Sequence, residues 1–220
     1  MNSRPCSDPR LVPGARRLVV LEGMPGAGKT TALTALEQTG SLVVGEYTRD
    51  DGTTITVASH PGTSDDDAHQ ANWPRKAAMC TQLLRAGRVV YADRDWVSSL
   101  AYAYSVSAGS TSELLRERAQ WAARCLAESR LLLPARYLVF DLDPQTSLTR
   151  RAATLRAGHP WTTLAALERL RDFYRDPARA LSPVSPELAA LMSSREWLHI
   201  DGHHAPQQLL QYALTAGTGP

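Results

Sequence analysis

The stretch Gly23-Met24-Pro25-Gly26-Ala27-Gly28-Lys29-Thr30 contains the pattern G-x-x-x-x-G-K-[ST] in full. An apolar run, 18–21, precedes it, and residues 31–36 have the composition of a helix. Glycines let such a loop curl so that successive N–H groups point inward, and a helix that begins there adds positive potential. The order of strand, loop and helix predicts a binding loop for a nucleoside triphosphate, formed by Gly23, Gly26, Ala27, Gly28, Lys29, Thr30 and Thr31.

Within this loop, Lys29 is predicted to reach the outer phosphates, and the Thr30 hydroxyl is predicted to hold Mg²⁺. The alternative is a glycine-rich turn that contains Lys-Thr by chance. The apolar segment before the loop and the helical segment after it favour the phosphate-binding interpretation.

Length and composition indicate a single α/β domain. The chain has 220 residues, 43% of them hydrophobic, and a formal net charge of +2. This charge gives no indication of a nucleic-acid surface, and no apolar run is long enough to cross a membrane. The N-terminus lacks the apolar region of a secretory signal, so we expect a cytoplasmic protein. Residues 1–16 are rich in proline and are expected to form a loosely attached arm, followed by one domain over 17–220.

Five apolar segments alternate with helical patterns along the chain. The segments predicted as strands are 17–22, 41–46, 89–93, 137–142 and 197–200. This alternation predicts a three-layer, doubly wound α/β fold with a five-stranded, mainly parallel sheet. In the helix predicted over 67–86, Pro74 is expected to cause a kink or a restart.

Two predicted strands end in residues that suit chemistry at the carboxyl edge of the sheet. After the third strand, Asp93 is predicted to hold Mg²⁺ and Arg94 to clamp a phosphate. The alternative for this pair is capping of the next helix. Glu46 closes the second strand and is a candidate general base, although a capping or pairing role is equally consistent with the sequence.

Arginines in two other parts of the chain are further candidates for site residues. Arg150, Arg151 and Arg156 precede a Gly-His-Pro break and predict a mobile lid over about 150–162; a solvated basic helix face is the alternative. The segment 72–76 contains Trp73 and Arg75 close together, and a planar substrate could stack on this tryptophan. A tryptophan buried in the core is at least as consistent with the sequence.

The chain resembles the thymidylate kinase family and, more loosely, the deoxynucleoside kinases. The resemblance rests on four short motifs: the loop with its preceding glutamate (21–31), the segment 48–54, which is similar to T-R-E-P-G-G-T, Asp93-Arg94 followed by Ser-Ser-Leu-Ala-Tyr (98–102), and Asp141-Leu142-Asp143-Pro144 through Arg150-Arg151. It implies ATP with Mg²⁺, lid arginines, dimers built through helix packing, and acceptor contacts from Arg49, Arg94 and Tyr102.

Departures from the family pattern concentrate on the acceptor side. Pro25 stands where the family has a carboxylate that serves the acceptor, and Asn72 falls where an arginine assists base recognition. Asp95 replaces a tyrosine. We therefore predict a kinase whose small-molecule acceptor need not be thymidylate.

Three functions remain open at the level of sequence. The first is an ATP-dependent kinase for a nucleotide, nucleoside or related hydroxylated metabolite, and the second is a natural-product kinase, for example of an antibiotic. The third is a nucleotide-binding regulatory module without a small acceptor. The sequence lacks the guanine-reading motif N-K-x-D, and its nearest equivalent of a Walker B aspartate is Asp141, which no glutamate follows.

Overall fold

A computed structural model describes residues 17–51, 53–55, 59–62, 65–107, 112–134, 136–155 and 158–217. Its strands are β1 (Leu18–Gly23), β2 (Leu42–Val44), β3 (Val90–Asp93), β4 (Arg136–Asp141) and β5 (Glu196–Asp201). They form one parallel sheet in the order β2-β3-β1-β4-β5. The N-terminal arm expected over 1–16 lies outside the described residues.

The described helices are α1 (Lys29–Gln38), α2 (Asp66–Leu84), α3 (Val97–Val106), α4 (Glu113–Ala127), α5 (Pro144–Arg151), α6 (Leu164–Arg175), α7 (Pro177–Leu181), α8 (Pro186–Ser193) and α9 (Pro206–Gly217). For this strand order, right-handed crossovers place α1 on one face of the sheet, where α9 packs against it, and α2, α3, α4 and α6 on the other. The packing of α1 against α9, and of α3 against α4 and α6, agrees with this division. None of the described helices is long and apolar enough to cross a membrane.

The central strand β1 explains where the site lies. All six of its residues are buried, because strands pair with it on both sides and helices cover both faces. The chain leaves β1 toward β2 on one side, and later places β4 on its other side. The carboxyl end of β1 is therefore the switch point of the sheet, where a crevice forms.

The predicted fold class is confirmed, but the second strand is Leu42–Val44 instead of 41–46, so Glu46 lies two residues beyond its end. Of the two outcomes predicted at Pro74, a kink or a restart, the restart is wrong, because α2 continues through this residue as one helix. Helix α7 was not predicted, because its five residues lie among prolines. Asp143 caps α5 by accepting a hydrogen bond from the Thr146 N–H at 2.8 Å.

Candidate functional site

The loop between β1 and α1 requires glycine at particular backbone positions. Gly23 has a φ of 115°, and a Cβ added there would lie 2.3 Å from the carbonyl oxygen of Phe140. Gly28 has a φ of 100° and occupies the N-cap position of α1. These conformations are strained for other residues, and they let the loop curl tightly against the end of β4. The cradle formed there fits a chain of phosphates, since N–H groups at a helix N-terminus attract anions.

Lys29 is buried inside this loop and forms hydrogen bonds with its main chain. Its Nζ donates to the carbonyl oxygens of Gly23 at 3.0 Å and Met24 at 2.8 Å. Burial, followed by repulsion from Arg94, lowers its pKa to about 7, although the carboxylates of Asp93, Glu22 and Glu46 act in the opposite direction. A phosphate bound beside Lys29 would stabilise its ammonium form and raise this pKa again.

A fully buried carboxylate, Glu22, organises the centre of the crevice. It accepts hydrogen bonds from the Ser98 hydroxyl at 2.8 Å, the Tyr174 hydroxyl at 2.7 Å and the Asp95 N–H at 3.1 Å. These donors come from the α3 region and from α6, so they are distant in sequence. Sequence reasoning noted Glu22 only as part of a family motif. A single charged residue inside an apolar strand was the available signal.

Arg94 lies between two glutamates. Its Nη1 is 3.5 Å from an oxygen of Glu22, and its Nε is 3.1 Å from an oxygen of Glu46. The Nε–H does not point at the Glu46 oxygen, so this second contact is an ion pair and not a hydrogen bond. Burial alone would lower the pKa of Arg94, but Glu46 and, to a smaller extent, Tyr174 and Glu22 raise it above its ordinary value. The backbone of Arg94 is left-handed, with a φ of 65°, which is uncommon for a residue other than glycine.

Next to Arg94, Asp95 takes part in the same network. Its carboxylate accepts hydrogen bonds from the Val97 N–H at 2.9 Å and the Tyr137 hydroxyl at 3.1 Å. Burial and the nearby charge of Glu22 raise its pKa to about 8. Asp95 therefore binds the first N–H of α3, although the N-cap residue itself is Trp96, which provides no side-chain cap. Arg94 instead faces the crevice.

Two side chains of α2, Asn72 and Lys76, form hydrogen bonds with the main chain where β2 and β3 end. Asn72 donates to the Glu46 carbonyl oxygen at 2.9 Å and accepts from the Thr48 N–H at 3.2 Å. The buried Lys76 donates to the carbonyl oxygens of Asp93 and Glu46. The Asn72 side chain is buried and engaged in these bonds, and its contact with substrate stays a prediction. Lys76 was missed by sequence reasoning.

Trp73 is also part of the interior. Its side chain is buried, and its indole N–H donates to the Ser99 hydroxyl at 2.7 Å. This burial favours the alternative of a tryptophan in the core over a stacking platform for a planar substrate. Tyr102 on α3 is half-buried and makes an edge-to-face contact with Trp161, with ring centroids 5.8 Å apart. This contact connects α3 with the 3₁₀ turn Pro160–Thr162 at the end of the predicted lid.

Arg49 and Arg75 lie together at the segment that follows β2. The Arg75 Nε is 2.5 Å from a carboxylate oxygen of Asp50, and its Nη1 donates to the Thr48 carbonyl oxygen at 3.1 Å. The Arg49 Nη1 donates to the Thr53 hydroxyl at 3.1 Å. Both arginines line an open pocket of about 490 Å³.

Two of the predicted lid arginines reach the nucleotide loop. Arg150 donates to the carbonyl oxygens of Gly26 at 3.1 Å and Gly202 at 2.9 Å. The Nε of Arg151 is buried without a hydrogen-bond partner. Arg156 lies outside the described residues. Pro25 is buried, and its carbonyl oxygen accepts from the Ser147 hydroxyl of α5 at 2.7 Å, so this loop position connects to the lid helix.

The residues predicted for Mg²⁺ suit a hard cation. Thr30 is exposed at the start of α1, and the Asp93 carboxylate lies close enough to Lys29 and Glu46 for their charges to affect its pKa. Burial and, to a smaller extent, the charge of Glu46 raise the pKa of Asp93, whereas Arg94, Lys76 and Lys29 lower it. Within the described ranges there is no group of three or more histidine, cysteine or acidic side chains arranged for a metal.

Asp141, the nearest equivalent of a Walker B aspartate, is paired with Arg171 of α6. The Arg171 Nε and Nη2 donate to its two carboxylate oxygens at 2.6 and 2.7 Å. A carboxylate that is held in this bidentate manner is occupied, which disfavours Asp141 as a metal ligand.

Comparison with protein families matches residues 18–184 to the model of the AAA domain. The chain belongs to the AAA domain family. The nucleotide-binding assignment of the loop is thereby confirmed, because this AAA domain match contains the loop, its strand and its helix. No curated protein matches the chain significantly.

The fold of this AAA domain is also found in a deoxyadenosine kinase from M. mycoides, whose structure was determined with bound dATP. The TM-score is 0.58 at 10% sequence identity, and the match covers 90% of this chain and 97% of the kinase. At this identity the match shows the kinase-like fold alone. The resemblance to thymidylate kinases stays a prediction.

Proposed function

We propose that this chain is a phosphotransferase that moves the γ-phosphoryl group of ATP to a hydroxyl group of a small molecule. The acceptor class is a nucleotide, a nucleoside or a related metabolite. The observation that carries the proposal is the pairing of Glu46 with Arg94 at 3.1 Å, at the carboxyl ends of β2 and β3 and beside Lys29. A nucleotide loop needs no such pair to bind ATP, whereas a kinase needs a base and a clamp at this point.

The donor is held by the loop. Its N–H groups and Lys29 bind the phosphates, and Arg150 and Arg151 approach the same loop from α5. Thr30 and Asp93 would hold Mg²⁺, which when bound neutralises charge on the phosphates. Because α5 carries both arginines and also bonds to Pro25 through Ser147, closure of the lid would press these groups onto the donor.

The acceptor reacts on the other side of the crevice. Glu46 accepts the proton of the acceptor hydroxyl while the hydroxyl oxygen forms a bond to the γ-phosphorus. The bond from this phosphorus to the bridging oxygen breaks, and ADP leaves with that oxygen. Arg94 orients Glu46 and neutralises charge that develops on the transferred group.

A coupled assay of ADP release tests the proposal. Nucleosides, nucleotides and hydroxylated natural products, including aminoglycoside antibiotics, are added singly to the protein with ATP and Mg²⁺. We expect at least one acceptor to raise ADP release well above the basal rate, and Lys29→Ala to abolish this increase. Equal hydrolysis with and without every acceptor would overturn the kinase function and favour the regulatory module.

The natural-product kinase is the second candidate, with the same chemistry. It is favoured by the position of Asn72, which uses its amide within the fold instead of reading a base. An acceptor screen that finds only ordinary nucleosides or nucleotides would remove it.

The regulatory module is disfavoured by the Asp141–Arg171 pair, since that aspartate is not free for Mg²⁺. Dimerisation and a cytoplasmic location stay predictions.

A further inference from the structure

The main chain around Glu46 is held by α2 and not by the sheet. Strand β2 ends at Val44, so its pairing with β3 stops two residues before Glu46. Asn72 takes over from the sheet, because it donates to the Glu46 carbonyl oxygen at 2.9 Å and accepts from the Thr48 N–H at 3.2 Å. These bonds hold the main chain on both sides of Tyr47, and they leave the direction of the Tyr47 side chain to other contacts.

The side chain of Tyr47 is held by a histidine of the same helix. Tyr47 is 6% exposed, and its hydroxyl forms a hydrogen bond with Nδ1 of His69. His69 precedes Asn72 by one turn, so the two side chains lie on one face of α2. The other ring nitrogen of His69, Nε2, is 2.9 Å from the carbonyl oxygen of Gly62. One imidazole ring therefore joins the residue after Glu46 to a later point in the same connection between β2 and α2.

The two partners of His69 define its tautomer. A carbonyl oxygen can only accept a hydrogen bond, so Nε2 must carry the proton that reaches Gly62. In the neutral ring Nδ1 then has a free lone pair, and the Tyr47 hydroxyl is the donor to it. A ring with a proton on Nδ1 could not accept this bond. The hydrogen bond to Gly62 thus sets the direction of the hydrogen bond from Tyr47.

Aromatic rings and a main-chain bond surround Tyr47 on its other sides. The ring centroid of His60 lies 4.5 Å from that of Tyr47, and the centroid of Trp73 lies 6.1 Å away. The Tyr47 carbonyl oxygen accepts from the Ile55 N–H at 2.8 Å. Burial and, to a smaller extent, the charge of Glu46 raise the pKa of the Tyr47 hydroxyl above its ordinary value. The hydroxyl therefore stays protonated and able to donate to His69.

We propose that His69 is a positioning residue for Glu46, because it holds the Tyr47 hydroxyl through Nδ1 and so restrains the residue that precedes Tyr47. The peptide unit between Glu46 and Tyr47 is planar and rigid, and a rotation of this unit would move both side chains. A displacement of about 1 Å near a reacting group can cost about 100-fold in rate. His69 acts through Tyr47 and not on the substrate. This inference rests on the phosphotransferase function proposed above, in which Glu46 is the base.

Substitutions that separate the two hydrogen bonds of His69 test the proposal. Asparagine places its amide near the position of Nδ1, whereas glutamine places its amide near the position of Nε2. We expect His69→Asn to keep kcat within about threefold and His69→Gln to lower it about tenfold or more, because only asparagine keeps an acceptor for Tyr47. Tyr47→Phe removes the hydroxyl and should lower kcat as much as His69→Gln does. The KM for ATP should stay within about twofold in all three variants, because the nucleotide loop is unchanged.

Kinetics are measured with ATP and Mg²⁺ against the panel of the ADP-release assay, which contains nucleosides, their monophosphates and aminoglycosides. Tyr104→Phe is the matched control, because it removes a hydroxyl from a tyrosine of α3 whose ring packs on Phe173 with centroids 5.8 Å apart. It should leave kcat unchanged. In the background of Tyr47→Phe, the variants His69→Asn and His69→Gln should agree in kcat within about twofold, because no hydroxyl is left for asparagine to bind. Equal kcat in the unchanged protein, His69→Gln and Tyr47→Phe would overturn the positioning role.

Nuclear magnetic resonance gives a measurement that does not depend on turnover. Long-range ¹H–¹⁵N spectra of the unchanged protein at pH 8 show which ring nitrogen of His69 carries the proton, and we expect Nε2. A proton on Nδ1 would overturn the inference, since that nitrogen could not accept from Tyr47.

The two proposals fail in different ways. If the unchanged protein phosphorylates no member of the panel, the phosphotransferase function is overturned, and the role of His69 falls with it. If the unchanged protein is active and the variants match it, only the role of His69 is overturned. Should His69→Gln fail to fold, as judged by circular dichroism, Tyr47→Phe decides the question, because it keeps the buried ring and loses only the hydroxyl.

Discussion

Lys29 should make nucleotide binding depend on proton uptake. Its ammonium group is buried, and its pKa of about 7 means that much of it is neutral above pH 7 before nucleotide binds. Phosphates interact with the charged form, so binding returns the pKa toward the value of an ordinary lysine. The direction of the pH dependence follows from this change in the pKa of Lys29. Above pH 7 the protein takes up a proton as ATP binds, and its affinity for ATP falls as pH rises.

The magnitude follows from the pKa. At pH 8 about nine-tenths of Lys29 is neutral in the unliganded protein, so about 0.9 proton should be taken up for each ATP bound. At pH 6 the uptake by this group falls to about 0.1 proton. From pH 7.5 to 9 the Kd should rise about 25-fold, provided that bound phosphate keeps Lys29 charged throughout.

Isothermal titration calorimetry measures both quantities. Titrations of ATP in buffers that differ in ionisation enthalpy give the number of protons from the slope of observed enthalpy against ionisation enthalpy. The Mg²⁺ concentration is held constant, and the measurements stay above pH 7.5, where ATP has lost its own last proton.

Lys29→Met is the control, because it removes the titrating group and keeps a long apolar stem. Asp95, with a pKa of about 8, titrates in the same range, so the difference between the unchanged protein and Lys29→Met isolates the lysine. Proton uptake near zero at pH 8 in the unchanged protein would refute the reasoning. The same conclusion would follow if Lys29→Met kept the full uptake.

Three further substitutions test other parts of the structure. Gly23→Ala places a Cβ 2.3 Å from a backbone oxygen at a φ of 115°, and should lower the free energy of unfolding by about 2–4 kcal/mol in urea titrations, whereas Gly62→Ala, at an open position, should change it by under about 0.5 kcal/mol. Lys76→Met removes hydrogen bonds to the ends of β2 and β3, so kcat should fall about tenfold or more while the Kd for ATP stays within about twofold; an unchanged kcat would contradict this positioning role. Asp141→Asn should change the Mg²⁺ dependence of turnover by less than about twofold, because this residue is paired with Arg171; loss of Mg²⁺-dependent turnover would instead identify it as a metal ligand.

Much of the fold and the donor half of the site could be predicted from sequence, for a local physical reason. The loop 23–30 needs glycines at fixed positions and a lysine at its end, and all of its residues are consecutive. Continuous apolar segments likewise identify parallel strands that are covered on both faces. Predictions from sequence failed where tertiary packing overrides a local signal. Pro74, for example, was expected to be able to restart a helix, yet it lies inside an unbroken one.

The acceptor half could not be obtained in the same way, because its contacts join residues that are far apart in the chain. Asn72 and Trp73 have polar groups that suit a ligand, and only the fold shows that both side chains are buried with partners inside the protein. The importance of Lys76 was also invisible, since a lysine in an amphipathic helix is most often solvated.

The sequence by itself determined that this chain binds nucleotide phosphates, and that its sheet is parallel with the binding loop after the first strand. Only the tertiary structure decided how the charges in the crevice are shared. Arg94 lies 72 residues from Glu22 in the chain, and the pairing of β1 with β3 brings them together with Glu46. Charge balance depends on distances between such groups, and these distances exist only in the folded chain.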